Sequence, residues 1–341
     1  MTEEECAMGR IIHSQFADTP PMREFNISNH LLGDRAALNA AWDRDGYWFF
    51  RDVLDKDAIT RLRGRYMNVL RNLGVVDPAI EDAAVYNGAT LDGYPIAAGA
   101  PPEDDPLLAE YPANEFIADP AVKRFFTELF GEEPFWIPNT EFHALPPQTS
   151  RENTRFNYVH TDGSNNKGLP LRICWIPVAN IDEATGGLAL AEGLHKPHMD
   201  DFPRPPEGIG DDVVPEHAWR RAEYRPGDVL IFSLDAPHSG LGNRSDEYFR
   251  LSMDIRCMPR SGNIPAVGHV AAINRCAITV AKDDGQEETF RINEDTFARI
   301  YRQRLTGMPL KLEEIPHLIK VGDPVFVASE RGNATFIRPR H

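Results

Sequence analysis

The chain has 341 residues, 42% of them hydrophobic and 26% charged, a balance that excludes global disorder and is long enough to bury a sizeable core. Its net charge of -16 argues against a nucleic-acid binder, which needs a basic face, and against docking on an anionic membrane. The four cysteines, Cys6, Cys174, Cys257 and Cys276, show no C-x-x-C spacing, so neither a disulfide framework nor a zinc site is indicated, and a reducing, cytoplasmic setting fits. The acidic start, Met1-Thr2-Glu3-Glu4-Glu5, is unlike a signal peptide, and no apolar run approaches the roughly 20 residues that span a bilayer.

In chain order, residues 1–40 lack periodicity and read as an arm. Gly46-Tyr47-Trp48-Phe49-Phe50 and Val53-Leu54 are strand-like. Asp55 is placed to cap a helix whose apolar residues Ile59, Leu62, Tyr66, Val69 and Leu70 recur at helical spacing, with Gly74 as its stop. Residues 75–115, rich in Gly and Pro, read as loop with short pieces of structure. Asp119-Pro120 opens a second helix carrying Val122, Phe125, Phe126 and Leu129, ended by Gly131.

From Phe135 the period changes to two. The strand ending in Leu145 places Asn139, Glu141 and His143 on one face. Further strands are expected before His160, over 171–178 and 188–190, at Val229–Phe232 and from Phe249 to Met258. The stretch 195–222, rich in Pro, Asp and His, is long for a connector and is a lid candidate. Beyond 260 the pattern is less legible; Asn293 is placed to cap a helix carrying Phe297, Ile300, Tyr301 and Leu305, ended by Gly307. Helices followed by many short strands indicate an α+β chain with a double-stranded β-helix, or jelly-roll, core flanked by N- and C-terminal helices. The expected organisation is an arm at 1–40, the jelly-roll domain at 41–260, and an extension at 261–341 packed on that domain.

Two His-x-Asp pairs occur, His160-Thr161-Asp162 and His198-Met199-Asp200. Such a pair arises readily by chance, so its surroundings decide. The second lies in the Pro-rich loop, whereas the first ends a strand, where residues two apart share a face. His238, just past the strand Val229–Phe232, is the third ligand candidate. Two imidazoles and a carboxylate leave three positions open on iron(II), enough for a bidentate 2-oxo acid and dioxygen. Arg250 offers a planar fork for the far carboxylate of such a cosubstrate, and Ser252, two residues on, shares its face.

These residues resemble the phytanoyl-CoA dioxygenase family of iron(II)/2-oxoglutarate oxygenases. The resemblance takes in Gly46-Tyr47, Asp119–Gly131, Pro146-Pro147, His160-Thr161-Asp162 and Cys174-Trp175. It continues through Gly186-Gly187-Leu188, Gly193-Leu194-His195-Lys196, Pro226-Gly227-Asp228, His238, Asn243 and Arg250. It covers roughly residues 40–260. It implies that His160, Asp162 and His238 ligate iron, that Arg250 binds the C5 carboxylate of 2-oxoglutarate with support from Ser252, and that Trp175 lies beside the cosubstrate. Asn139 is taken with this cosubstrate group. Leu194 and Gly240 stand where relatives often carry Ser, and the carboxylate of Asp162 sets the chain apart from halogenating members.

The implied reaction consumes 2-oxoglutarate and dioxygen, releases succinate and CO₂, and oxidises a C–H bond of a small molecule, with hydroxylation as the default outcome, in specialised metabolism or catabolism. Arg151, Arg155, Arg172, Trp219 and Arg220 are candidates to meet an anionic substrate. No nucleic-acid or membrane partner is expected, and a homodimer is left open. Two other readings stand beside this one: a cupin-like metalloenzyme that does not use 2-oxoglutarate, and a non-enzymatic jelly-roll module with a structural metal.

Overall fold

Two aspartates set the helical layer. Asp55 accepts from the backbone N–H of Ala58 and caps the helix Lys56–Asn72; Asp119 accepts from Ala121 and Val122 and caps Pro120–Phe130. Gly74 and Gly131 follow these helices in the left-handed conformation, as expected for stops. The computed structural model describes residues 11–16, 19, 21–80, 83–92, 94–96, 105–147, 159–164, 171–196, 213–300 and 310–339. A further helix, Arg35–Asp45, capped by Asp34 and ended by Gly46, was not expected from the sequence. Its apolar contribution is limited to residues such as Leu38, Ala41 and Trp42, too few for a clear stripe. Within 75–115 lie the short helices Pro106–Glu110 and the start of Ala113–Ala118.

The strands form two five-stranded sheets. One has the order β3 (Tyr47–Phe50), β8 (Val229–Ser233), β5 (Arg172–Pro177), β10 (Arg250–Pro259), β4 (Pro134–Leu145). The other has the order β1 (Ile11–Ile12), β2 (Met22–Glu24), β7 (Trp219–Arg221), β6 (Gly187–Ala191), β9 (His238–Leu241). The arm therefore contributes β1 and β2 to a sheet, and the end of the 195–222 stretch is strand β7; residues 197–212, most of the lid candidate, lie outside the described residues.

Strand alternation sorts the side chains. On β5, Cys174 and Ile176 pack on the helices, while Ile173 and Trp175 point between the sheets, with Phe232 and Leu190. On β10, Leu251, Met253, Ile255 and Cys257 pack on the helical side. Arg250, Ser252, Asp254 and Arg256 therefore face the interior of the sandwich. Four polar residues in a row on a buried face mark a site rather than a core.

The C-terminal part differs from expectation. β11 (Ala266–Ile273), β12 (Ala277–Lys282), β13 (Glu287–Arg291), β14 (Phe297–Ala298), β15 (Pro324–Glu330) and β16 (Asn333–Pro339) form a sheet of order β13-β12-β11-β15-β16-β14. A parallel β13–β16 pairing closes it into a barrel. With β13 and β14 taken as one interrupted strand, the order is 1-2-3-5-4 with strands 3 and 5 parallel, the connectivity of OB-type barrels. Among the described residues after 260 the one helix is Ile315–Leu318.

The helix expected from Asn293 is not formed over its described part. Asn293 does hold a turn, accepting from the N–H of Thr296 at 3.0 Å and of Asp295 at 3.1 Å. The chain then leaves as β14, where Phe297 pairs with Phe336 and stacks on its ring at 5.7 Å. Strand pairing and ring packing override the local cap signal. Tyr301, Leu305 and Gly307 lie outside the described residues. The barrel has its own core, with Val270, Ile278, Phe290, Val325 and Ile337. Phe326, Ala328 and Phe336 instead join Ile137 and Met258 in the core of the sandwich.

Candidate metal centre

His160 and His238 are joined through their main chains. The N–H of His160 donates to the carbonyl of His238 at 3.0 Å, and the N–H of His238 returns the bond at 2.9 Å. This pairing adds His160 to the free edge of β9 and brings the two rings to 4.3 Å between centroids. After Thr161 the chain turns through Asp162–Ser164, which places Asp162 Oδ1 3.5 Å from His160 Nε2. One ligand atom from each of His160, Asp162 and His238 lies within 4.8 Å of the others. Gly163 makes the turn fit: its N–H donates to the carbonyl of Leu234 at 2.8 Å, and a Cβ there would stand 2.0 Å from Asp235 Oδ1.

The protonation states suit a metal. His238 Nδ1 is 3.0 Å from the carbonyl of Ala236, an oxygen that can only accept, so Nδ1 carries the proton and Nε2 is left to coordinate. Burial, and then the charge of His160, lower the His238 pKa to about 4, so the ring is neutral at pH 7. Burial pushes the Asp162 carboxyl up, but the His160 hydrogen bond and the nearness of His238 and of the Arg256 guanidinium outweigh it and hold the group below the usual carboxylate range. Two imidazoles and one carboxylate are the donor set iron(II) takes with positions left open, and a metal ion would displace any proton that His160 carries. The other pair, His198 and Asp200, lies outside the described residues.

Arg250 is buried, and its Nη1 donates to the carbonyls of Gly187 at 3.1 Å and Leu241 at 2.7 Å. Among the described residues its Nε has no hydrogen-bond partner and no carboxylate lies within salt-bridge distance of it. Burial lowers its pKa to about 10, which leaves it charged at pH 7. Ser252, fully buried on the same face, has an Oγ without a hydrogen-bond partner among the described residues. A buried cation without a counter-ion is costly, and a ligand carboxylate at this end satisfies both groups.

Trp175 faces the same interior, packed edge-on against Tyr224 at 4.6 Å, and Tyr224 donates to the carbonyl of Leu188 at 2.6 Å. Sequence reasoning missed Tyr224; it lies in an ordinary Tyr-Arg-Pro-Gly turn with nothing to mark it. The Gly186-Gly187 turn is required by geometry. Gly186 has φ +95°, and a Cβ there would stand 2.5 Å from the Leu241 carbonyl oxygen.

Asn139, Glu141 and His143 lie along β4 beside β10, where His143 pairs with Ser252 and Glu141 with Asp254. Asn139 is buried, and neither atom of its amide has a hydrogen-bond partner among the described residues. His143 Nε2 is 3.0 Å from Asp254 Oδ2. Glu141 Oε1 is 3.0 Å from Arg256 Nη2, which also lies 3.5 Å from Asp162 Oδ2. Arg256 is the second residue sequence reasoning missed. Glu141, His143 and Asp254 also bring ligand atoms within 4.8 Å of one another, but their own ion pairs occupy that group.

Of the candidates to meet a substrate anion, Arg172 and Trp219 are not brought here. Arg172 lies on the helical face of β5, over the ring of Trp42 at 4.9 Å. Trp219 packs with Val159 and Ala189 away from the sandwich interior. Arg220 pairs with Leu190, which on its other side pairs with His238, and its guanidinium is engaged by Glu192 at 2.5 Å. Arg151 and Arg155 lie outside the described residues. No helix among the described residues is long and apolar enough to cross a membrane.

The chain matches the phytanoyl-CoA dioxygenase (PhyH) family over residues 42–252, a span that takes in His160, Asp162, His238, Arg250 and Ser252 and stops short of Asp254 and Arg256. It is 29% identical over 270 residues to the 1-deoxypentalenic acid 11-beta-hydroxylase of Streptomyces arenae, a match covering 73% of this chain and 87% of that protein. It is 28% identical over 272 residues to the enzyme of the same name from Streptomyces exfoliatus, covering 72% and 88%. Among solved structures, the epimerase SnoN in complex with Fe3+, alpha ketoglutarate and nogalamycin RO aligns with a TM-score of 0.45 at 17% identity, over 89% of this chain and 100% of that one. With the family match running over well more than half of its length, the chain belongs to the phytanoyl-CoA dioxygenase family and is a non-haem iron, 2-oxoglutarate-dependent oxygenase.

Proposed function

We propose that this enzyme hydroxylates an unactivated C–H bond of a small organic molecule, with His160, Asp162 and His238 holding iron(II). Arg250 and Ser252 then hold the distal carboxylate of 2-oxoglutarate, with Trp175 and Asn139 beside it. The observation that carries the reading is a buried, carboxylate-free Arg250 on the interior that also receives the His/Asp/His set. The names of the curated relatives, which hydroxylate a small carboxylic acid, support a small-molecule substrate. The oxygenase unit is taken as 41–260, with 1–40 and 261–341 built onto it.

When bound, iron and 2-oxoglutarate supply the oxidising power, as the oxo acid and dioxygen become succinate and CO₂. The chain's part is placement. His160 and His238 are fixed by mutual main-chain hydrogen bonds, and the proton on His238 Nδ1 is held by Ala236. Arg250 is fixed by two carbonyls, so the cosubstrate tail meets a rigid charge. Glu141, which is exposed, and His143, which is half-buried, are taken to stand on the substrate side.

Anaerobic addition of iron(II) and 2-oxoglutarate tests this directly. A weak visible charge-transfer band is expected, and it is lost in His238→Ala. With ascorbate and air, succinate is then released. Iron binding with no 2-oxoglutarate dependence would move the reading to a cupin-type metalloenzyme. If Asp162→Ala left iron binding unchanged, the site itself would be rejected.

A further inference from the structure

We propose that Arg256 is a positioning residue for the iron ligand Asp162, holding the carboxylate oxygen that faces away from His160 so that the ligand presents one oxygen only. The inference rests on the metal-site reading above. The two oxygens of Asp162 face different groups: Oδ1 lies 3.5 Å from His160 Nε2, and Oδ2 lies 3.5 Å from Arg256 Nη2. Arg256 is itself fixed. It is 2% exposed; Nη1 donates to the carbonyl of Asn139 at 3.0 Å, and Nη2 pairs with Glu141 Oε1 at 3.0 Å.

The backbone explains why this side chain reaches the ligand. Between Asp254 and Arg256 the register of β10 against β4 shifts, while its pairing with β5 runs on unbroken. A bulge of this kind bends one edge and re-aims a side chain. Here the shift lets the guanidinium reach the carbonyl of Asn139 and the carboxylate of Glu141 together.

The consequence is chemical. A carboxylate with both oxygens free can chelate a metal through both and fill a position that dioxygen or the cosubstrate needs. A guanidinium on the second oxygen disfavours that mode and fixes the first, the usual work of groups behind a metal ligand. The bland alternative is that Arg256 serves only to neutralise Glu141.

Cobalt(II) titration of the whole enzyme, under argon and read by its visible d–d bands, separates the two. Arg256→Met is expected to raise the cobalt(II) Kd about 10–100-fold and to change the band shape, with Arg256→Lys recovering most of the affinity. Glu141→Gln is expected to leave Kd within about three-fold of wild type, because Asn139 still holds the guanidinium. Wild-type affinity and bands in Arg256→Met would overturn the proposal, as would equal losses in Glu141→Gln and Arg256→Met. Should Arg256→Met not fold, Arg256→Gln decides: a weakened cobalt(II) affinity with an altered band supports the role, and wild-type affinity and band refute it. Asp162→Ala is the control: if it too leaves cobalt(II) binding intact, the metal site has been misplaced and the failure is not that of Arg256.

Discussion

Arg250 donates to the main-chain carbonyl of Leu241 at 2.7 Å, which ties the first residue of β10 to the last of β9. The guanidinium is thus held by protein before any ligand carboxylate reaches it. Arg250→Gln is expected to weaken 2-oxoglutarate binding by roughly 100-fold, the scale of one or two lost charge-assisted bonds, while leaving metal affinity near wild type. Anaerobic calorimetry with manganese(II) as the metal checks both halves.

The carbonyl that Arg250 uses is also what forbids a side chain at Gly186. Gly186→Ala combines a left-handed φ with a Cβ 2.5 Å from the Leu241 oxygen. A loss of about 2–4 kcal/mol is expected, the sum of the conformational penalty and overpacking. Urea unfolding measures it, and a change under about 0.5 kcal/mol would contradict the turn geometry.

His143 and Asp254 give a pH signature. Burial lowers the His143 pKa, but the hydrogen bond and charge of Asp254 and the charge of Glu141 outweigh it, so the net shift is upward. A raised folded-state pKa stabilises most below the unfolded value, about 6.5, and the gain fades as pH rises through the folded value. The Tm advantage of wild type over His143→Gln should therefore be largest below pH ~6.5 and shrink above it. An advantage that grows with pH would reverse the sign and the assignment.

The thiols should separate by burial. Cys174 and Cys257 are fully buried with sulfurs 3.5 Å apart, and burial, then the contact with Cys257, raises the Cys174 pKa well above the ordinary thiol value. Cys276 is exposed. In a Cys6→Ser variant, an aromatic disulfide reagent should titrate Cys276 alone in the native protein, and Cys174 and Cys257 as well in denaturant.

Phe336 is the anchor between barrel and sandwich. It is fully buried, flanked by Phe297 at 5.7 Å and Phe326 at 5.6 Å. Phe336→Ala is expected to cost about 3–5 kcal/mol and, because the ring belongs to the sandwich core, to lower the unfolding midpoint of the whole chain. A lowered midpoint confined to the barrel would show the two parts to be independent.

What the sequence made legible was local. Asp55 and Asp119 cap helices through bonds to residues two or three positions on, so their signal sits in one turn of chain. His160 and Asp162 were preferred over His198 and Asp200 for their place at an expected strand end, and Arg250 was singled out as a planar fork for a distal carboxylate. The helix Arg35–Asp45 carried too weak a stripe to be seen. The barrel was missed because its strands are short and β14 is read locally as the start of a helix. Periodicity puts Arg256 on the face of Arg250 and Ser252 but not beside Asp162: its reach depends on a register shift against a strand more than a hundred residues away.

The reciprocal bonds between His160 and His238 have one more consequence. Because the main chain sets the spacing of the two imidazoles, the site is built before an ion arrives and has little means of rejecting ions of similar size. Affinity for a nitrogen and oxygen set of this kind rises along the first-row series from manganese to copper, past iron. The metal found in purified protein is therefore expected to report the supply in the host cell and the buffers, with nickel, cobalt or zinc standing in for iron whenever they were more abundant.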